Sequence, residues 1–249
     1  SRFYTTNNPD TAEIISNKAL QLAQKLNYQY GTALAYNSLG SALTTKSKYD
    51  EAIQVLLKSL NIYEKLKHKK GITNVCNTIA NVYMGLNNAS KAYDYYLRCY
   101  NIAGEKPVSE HMLTVASFGL GNVLLEENKQ MEAIGYFKKA IEGFEKAGNT
   151  QNVAIAMTMI GECYIYNSDY ASAEPYFLAA LPVLEKMNDE YSVAVTCANL
   201  GEIELRKKNY TNSFNYFDRA LKLNQKRKAW DNIRNNALSL SNLMEKQNK

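Results

Sequence analysis

Glycine and proline are scarce, 12 and 4 of 249 residues, so little in this chain interrupts a helix and folds that depend on frequent turns are disfavoured. Histidine occurs only twice. Neither His68 nor His111 has a Cys, Ser or carboxylate at recognisable spacing, and a general base needs a partner that orients it. The four cysteines, Cys76, Cys99, Cys163 and Cys197, include no close pair of the metal or redox kind; they read as small core residues whose thiols pack inertly. Phosphate loop, nucleophile elbow and zinc signature are all missing. Gly119-Leu120-Gly121 has neither the third glycine nor the preceding strand that a nucleotide loop requires. These absences predict a protein that is not an enzyme and carries no cofactor and no metal. The chain also lacks a run of eighteen apolar residues, so no direct membrane insertion is expected, and no charged-then-apolar leader opens it.

What the chain does have is periodicity. Gly40, Ala80, Gly121, Gly161, Gly201 and Ser241 recur at intervals of 40, 41, 40, 40 and 40. A period near 40 is the mark of a solenoid. A second column of small residues keeps step with the first: Ala52, Ala92, Ala133, Ala173 and Ser213. Large apolar groups follow at Leu56, Tyr96, Phe137, Phe177 and Phe217. Within a unit the apolar positions fall at helical spacing, as in Tyr36-Leu39-Gly40-Leu43 and Ala52-Leu56-Ser59-Leu60. Small residues let two helix backbones approach, and large ones fill the space beside the crossing. Short polar breaks at 44–48, 85–88, 126–129, 166–169 and 206–209 suffice for helical hairpins. Two sequons, Asn88-Ala89-Ser90 and Asn209-Tyr210-Thr211, fall in these breaks, where Asn and Ser are ordinary turn residues.

The unit resembles the tetratricopeptide repeat (TPR), whose pattern has small residues at its eighth, twentieth and twenty-seventh positions and an aromatic at its seventeenth. Tyr49, Tyr170 and Tyr210 match the aromatic, whereas Ala89 and Gln130 depart from it. The proline usual near the end of that repeat is replaced by Glu64, Gly104, Glu145, Glu185 and Gln225, so the second helix is expected to run longer. The pattern is most similar to the long-repeat form found in kinesin light chains and bacterial signalling proteins. It implies an all-α fold, a right-handed TPR superhelix (an α-solenoid) of about twelve antiparallel helices. The expected organisation is a single solenoid over 1–249: a half repeat at 10–30, full repeats at 31–70, 71–111, 112–152, 153–192 and 193–232, and a half repeat at 233–249. The half repeats read as cuts, so the chain is expected to be a fragment of a larger protein, and apolar faces at both ends suggest end-to-end homo-association.

Two irregularities stand out. One interval is longer by a residue, and Gly104 followed by Pro107 should end the second unit's helix early through a left-handed cap, with a longer connection near 106–111. Pro175 is tolerable near a helix start, but Pro182 lies well inside and deletes the bond to the Leu178 carbonyl, which predicts a kink.

Stacked hairpins of this kind place their first helices on the inside of the curve, so the second, fifth, ninth and twelfth positions of each unit should line a groove. The candidate peptide- or protein-binding residues are Asn37, Asn74, Asn77, Asn81, Phe118, Asn122, Leu125, Ile155, Glu162 and Glu202. An asparagine amide donates and accepts at once, and therefore pairs with both polar groups of an extended peptide backbone. Phe118, Leu125 and Ile155 would meet apolar side chains, and Glu162 and Glu202 a basic group. The same asparagines have a purely structural reading, as bonds between neighbouring helices. A carboxylate clamp for acidic C-termini is set aside, because Asn37, Ser41, Thr78, Val115 and Gly119 supply no cation at the corresponding positions.

The expected partner is thus a protein or extended peptide. The net charge of +5 gathers at 65–70, 206–208 and 226–228, different edges of the solenoid, which argues against nucleic acid. The run from Asn8-Pro9-Asp10 to Gly40 is similar to repeat regions that precede the output parts of sensor kinases and regulators, especially of Bacteroidetes. The resemblance implies the sensory or interaction region of a bacterial signalling protein; the alternative is a receptor for a small signalling peptide. Free thiols favour the cytoplasm, whereas membership of a sensor kinase would place the repeats in the periplasm.

Overall fold

A computed structural model of the chain describes residues 8–105 and 109–247. All regular structure among them is helical: α1 (Pro9–Lys25), α2 (Gln29–Thr45), α3 (Tyr49–Lys65), α4 (Lys69–Gly85), α5 (Ala89–Gly104), α6 (Glu110–Glu126), α7 (Gln130–Lys146), α8 (Thr150–Tyr166), α9 (Tyr170–Lys186), α10 (Glu190–Arg206), α11 (Tyr210–Lys226) and α12 (Trp230–Gln247). They form two compact units divided between Lys129 and Gln130. In each unit every helix packs on the next, as antiparallel hairpins do.

The repeat length follows from one turn used over and over. Helices of 17 residues alternate with three-residue links whose middle residue is left-handed, as at Asn87 (φ 53°), Gly148 (φ 67°) and Lys208 (φ 63°). At 66–68 the Lys67 N–H donates to Glu64 O and the His68 N–H to Tyr63 O, each at 2.9 Å, the two bonds of a Schellman ending. Asn, Ser and Lys occupy most of these left-handed sites despite the Cβ penalty, because the reversal satisfies carbonyls the helix end would leave orphaned. First and second helices have the same length, so the long repeat is not made by extending the second helix alone.

Two local expectations at the α5–α6 connection need correction. Helix α5 does end early, at Gly104, but its cap is Glu105 in extended conformation (φ −75°, ψ 116°) rather than a left-handed residue. Residues 106–108 of the expected longer connection lie outside the described residues, and His111 belongs to the first turn of α6 instead of a connection. His68 caps α4, its Nδ1 accepting the Gly71 N–H at 2.9 Å. Helix α9 runs through both Pro175 and Pro182.

The core is built where the small and large columns meet. A Cβ placed on Gly40 would lie 2.4 Å from Leu56 Cγ, on Gly161 2.7 Å from Phe177 Cζ, and on Gly201 2.8 Å from Phe217 Cδ1. Leu56, Phe177 and Ala52 are fully buried. Ser59 and Ser213, also buried, bond across the crossings to Ala33 O (2.7 Å) and Gly201 O (2.8 Å). All four cysteines are free and buried, and burial pushes Cys76 and Cys197 up to about 11 and Cys99 and Cys163 up to about 12, which keeps the thiols inert.

Substituting alanine at two helical glycines should separate propensity from packing. Gly135 has nothing within 4 Å of a built Cβ, so Gly135→Ala is expected to stabilise by about 0.5–1 kcal/mol in urea melts. Gly40→Ala gains the same propensity but pushes Leu56 aside, and is expected to destabilise by about 1–3 kcal/mol. Equal effects at the two sites would contradict the close-crossing account.

Candidate functional sites on the first-helix faces

Helices α2, α4 and α6 approach one another in the N-terminal unit, and α8 and α10 do so in the C-terminal unit, whereas successive second helices make fewer contacts. Each unit therefore presents a first-helix face on the inside of its own curve. In the N-terminal unit, Asn37 and Asn77 stand at the same repeat position, one on α2 and one on α4, both half-buried. The Oδ1 of each is buried and has no hydrogen-bond partner among the described residues. Asn81, one turn further along α4, is exposed and accepts a bond from Tyr96 Oη, so this amide is held by the scaffold. Asn74, Asn122, Phe118 and Leu125 are half-buried on α4 and α6. The face brings these asparagines onto neighbouring helices, as their register requires.

In the C-terminal unit the expected residues diverge. Ile155 packs against the core around Phe177. Glu202 is paired with Arg206 at 2.8 Å on its own helix. Glu162 instead lines a cavity of about 490 Å³ whose walls come from α8, α10, α11 and α12. It has no ion pair or hydrogen bond among the described residues, and burial pushes its carboxyl up to about 7. The contrast is Glu204, a buried acid with partners: Asn209 Nδ2 at 2.7 Å, Asn212 Nδ2 at 3.3 Å and Lys207 Nζ at 3.2 Å. Glu204 is spent on fastening a turn, whereas Glu162 is not.

Five further asparagines line the Glu162 cavity: Asn199, Asn224, Asn232, Asn235 and Asn236. Reading groove positions from the repeat register missed them: Asn199, Asn224 and Asn232 stand at other positions of the last full unit, and the register was not extended into the half repeat that holds Asn235 and Asn236. A signal was present, since Asn232, Asn235 and Asn236 share one face of α12 at helical spacing. Among the described residues no group of three His, Cys, Asp or Glu side chains is arranged to hold a metal ion.

Tetratricopeptide-repeat models match residues 4–65 and 111–186 and residues 73–106 and 194–227, and the chain belongs to that family. A search of curated proteins found no match. Among solved structures it is similar to BtubC from P. vanneervenii, with 17% identity, a TM-score of 0.76, and 89% of this chain and 93% of that one covered. The apo form of the quorum sensor NprR from B. thuringiensis aligns with a TM-score of 0.71 at 15% identity, over 96% of this chain and 71% of that one. YrrB, a TPR protein with an unusual peptide-binding site, aligns with a TM-score of 0.58 at 18% identity, over 82% and 92%. At these identities the likeness shows the fold alone. No helix among the described residues is long and apolar enough to cross a membrane.

The state of Glu162 is open to measurement. Its folded carboxyl keeps a proton up to about pH 7, while the unfolded one loses it near 4.5, so between these limits the folded state binds more protons. This contribution to stability is full below pH 4.5 and is lost as pH rises towards 7. Glu162→Gln should remove it, so the variant's melting temperature is expected to gain on the wild type's across that window. Parallel profiles would refute the half-buried, unpaired carboxyl.

Proposed function

We propose that the chain is a scaffold for protein or peptide interaction, without catalysis of its own, that takes an extended segment on its first-helix faces. The observation that carries this reading is the pair of unpartnered acceptors, Asn37 Oδ1 and Asn77 Oδ1, at equivalent positions of adjacent helices. A buried amide oxygen left unbonded is costly, and an amide rotated out to the open face would exchange that cost for a bond to a peptide N–H. The amide nitrogens of the same residues offer donors to peptide carbonyls. Asn74, Asn81 and Asn122 extend this polar row in the N-terminal unit, with Phe118 and Leu125 as apolar neighbours; Ile155, Glu162 and Glu202 belong to the corresponding face of the C-terminal unit. Charge also supports a protein or peptide partner over nucleic acid. Lys207 is paired with Glu174 and Glu204, and Lys226 with Glu190, so part of the basic excess is neutralised within the fold. The narrower reading, a receptor for a small signalling peptide within a bacterial regulator, draws support from the likeness to the quorum sensor NprR.

Calorimetry with a library of short acetylated, amidated peptides tests the proposal. Saturable binding is expected, and the double variant Asn37→Ala/Asn77→Ala should weaken it. Two hydrogen bonds of about 0.5–1.5 kcal/mol each correspond to about a 5- to 150-fold loss. Binding that is indifferent to both asparagines would sink the reading of this face.

A further inference from the structure

Two columns of the repeat that bury apolar or small side chains switch to asparagine in the C-terminal unit. One column runs Tyr63, Ala103, Phe144 and Leu184, then Asn224; the other runs Ala35, Val75, Ala116, Ala156 and Thr196, then Asn236. Every member is buried, Asn224 at 3% exposure and Asn236 at 5%. Among the described residues Asn224 Oδ1 and Asn236 Nδ2 have no hydrogen-bond partner, which leaves one acceptor and one donor unsatisfied. Apolar residues would serve packing better at both places. Both asparagines line the cavity that holds Glu162, the one charged group in its lining among the described residues, with Ile165, Val195 and Ala198 supplying apolar wall.

These groups complement one chemistry. A peptide unit carries an N–H for the orphan acceptor and a C=O for the orphan donor, and a cation beside it would pair the lone carboxylate. A peptide carboxyl terminus would set like charge against Glu162, and a simple alkylamine offers no acceptor to Asn236. A cavity of about 490 Å³ is the size of a small-ligand site. We propose that it binds the free amino terminus of a peptide: Glu162 pairs with the ammonium and, with the two amides turned into the cavity, the first peptide N–H donates to Asn224 Oδ1 and the following carbonyl accepts from Asn236 Nδ2. The proposal rests on the reading of the first-helix faces as peptide-binding and adds an end specificity to it. Desolvation pushes the half-buried carboxyl of Glu162 up to about 7, and such a cation would draw it back down.

The test is calorimetry at neutral pH with the tripeptide amide Leu-Ala-Ala-NH2, its N-acetylated form and butylamine. The free-amine peptide is expected to bind saturably and at least tenfold more tightly than either other probe. Glu162→Gln should erase that preference. Asn224→Leu and Asn236→Ala, which restore residues that earlier repeats have there, should melt at or above the wild-type temperature yet bind the tripeptide at least tenfold more weakly. Equal binding of free and acetylated forms, binding of neither, equal binding of butylamine, or asparagine variants that bind as wild type would each overturn the assignment. Running the acetylated library against Asn37→Ala/Asn77→Ala in parallel separates the two readings. If that binding persists and depends on Asn37 and Asn77 while the free amine brings no advantage, only the amino-terminus site falls.

Discussion

The rest of the structure depends on the packing of a small residue of one helix against a large one of the next. Where Gly40 meets Leu56, or Gly161 meets Phe177, there is no room for a Cβ, so the helix axes approach until the large side chain fills the crossing. A single hairpin closed this way still has an uncovered outer apolar face. Stacking the next hairpin buries it, which is why helical repeats of this kind stabilise one another and not themselves.

The two units also share an arrangement of charge. Glu64 pairs with Arg98 and, at the same offset, Glu185 with Arg219; Lys69 pairs with Glu105 where Glu190 pairs with Lys226. In the second case the sign of both partners is exchanged while the pair is kept, so the attraction between the two helices of one hairpin is retained and not the residue types. Exposed pairs of this sort contribute little individually, and register comes chiefly from packing. Buried amides behave differently, because their partners must be supplied by protein, water or ligand. That is why unbonded amide atoms at Asn37 and Asn77, and again at Asn224 and Asn236, carry more functional meaning than the surface charge does.

Much of the fold was legible in residue spacing. The columns through Gly40 and Ala52 located the hairpins, and the polar breaks fell within two residues of the observed turns. The left-handed cap expected at Gly104 failed because glycine there closes the helix from inside, and extended backbone at Glu105 follows directly. The candidate site was legible in part. Register alone placed Asn37 and Asn77 on adjacent helices, yet it could not distinguish Glu162, left without a partner, from Glu202, whose charge is answered four residues along by Arg206. The Asn224 and Asn236 columns could have been read to the end of the chain, and their break from apolar character is visible there.

What the sequence by itself determined is periodicity: helical spacing and recurrent small residues dictate which faces are buried, since a side chain's place on a helix follows from its number. Which polar groups end up buried and unbonded was decided only by tertiary structure. Whether Asn224 Oδ1 or the Glu162 carboxyl finds a partner depends on side chains from four helices converging on one cavity, and no spacing along one segment contains that distance.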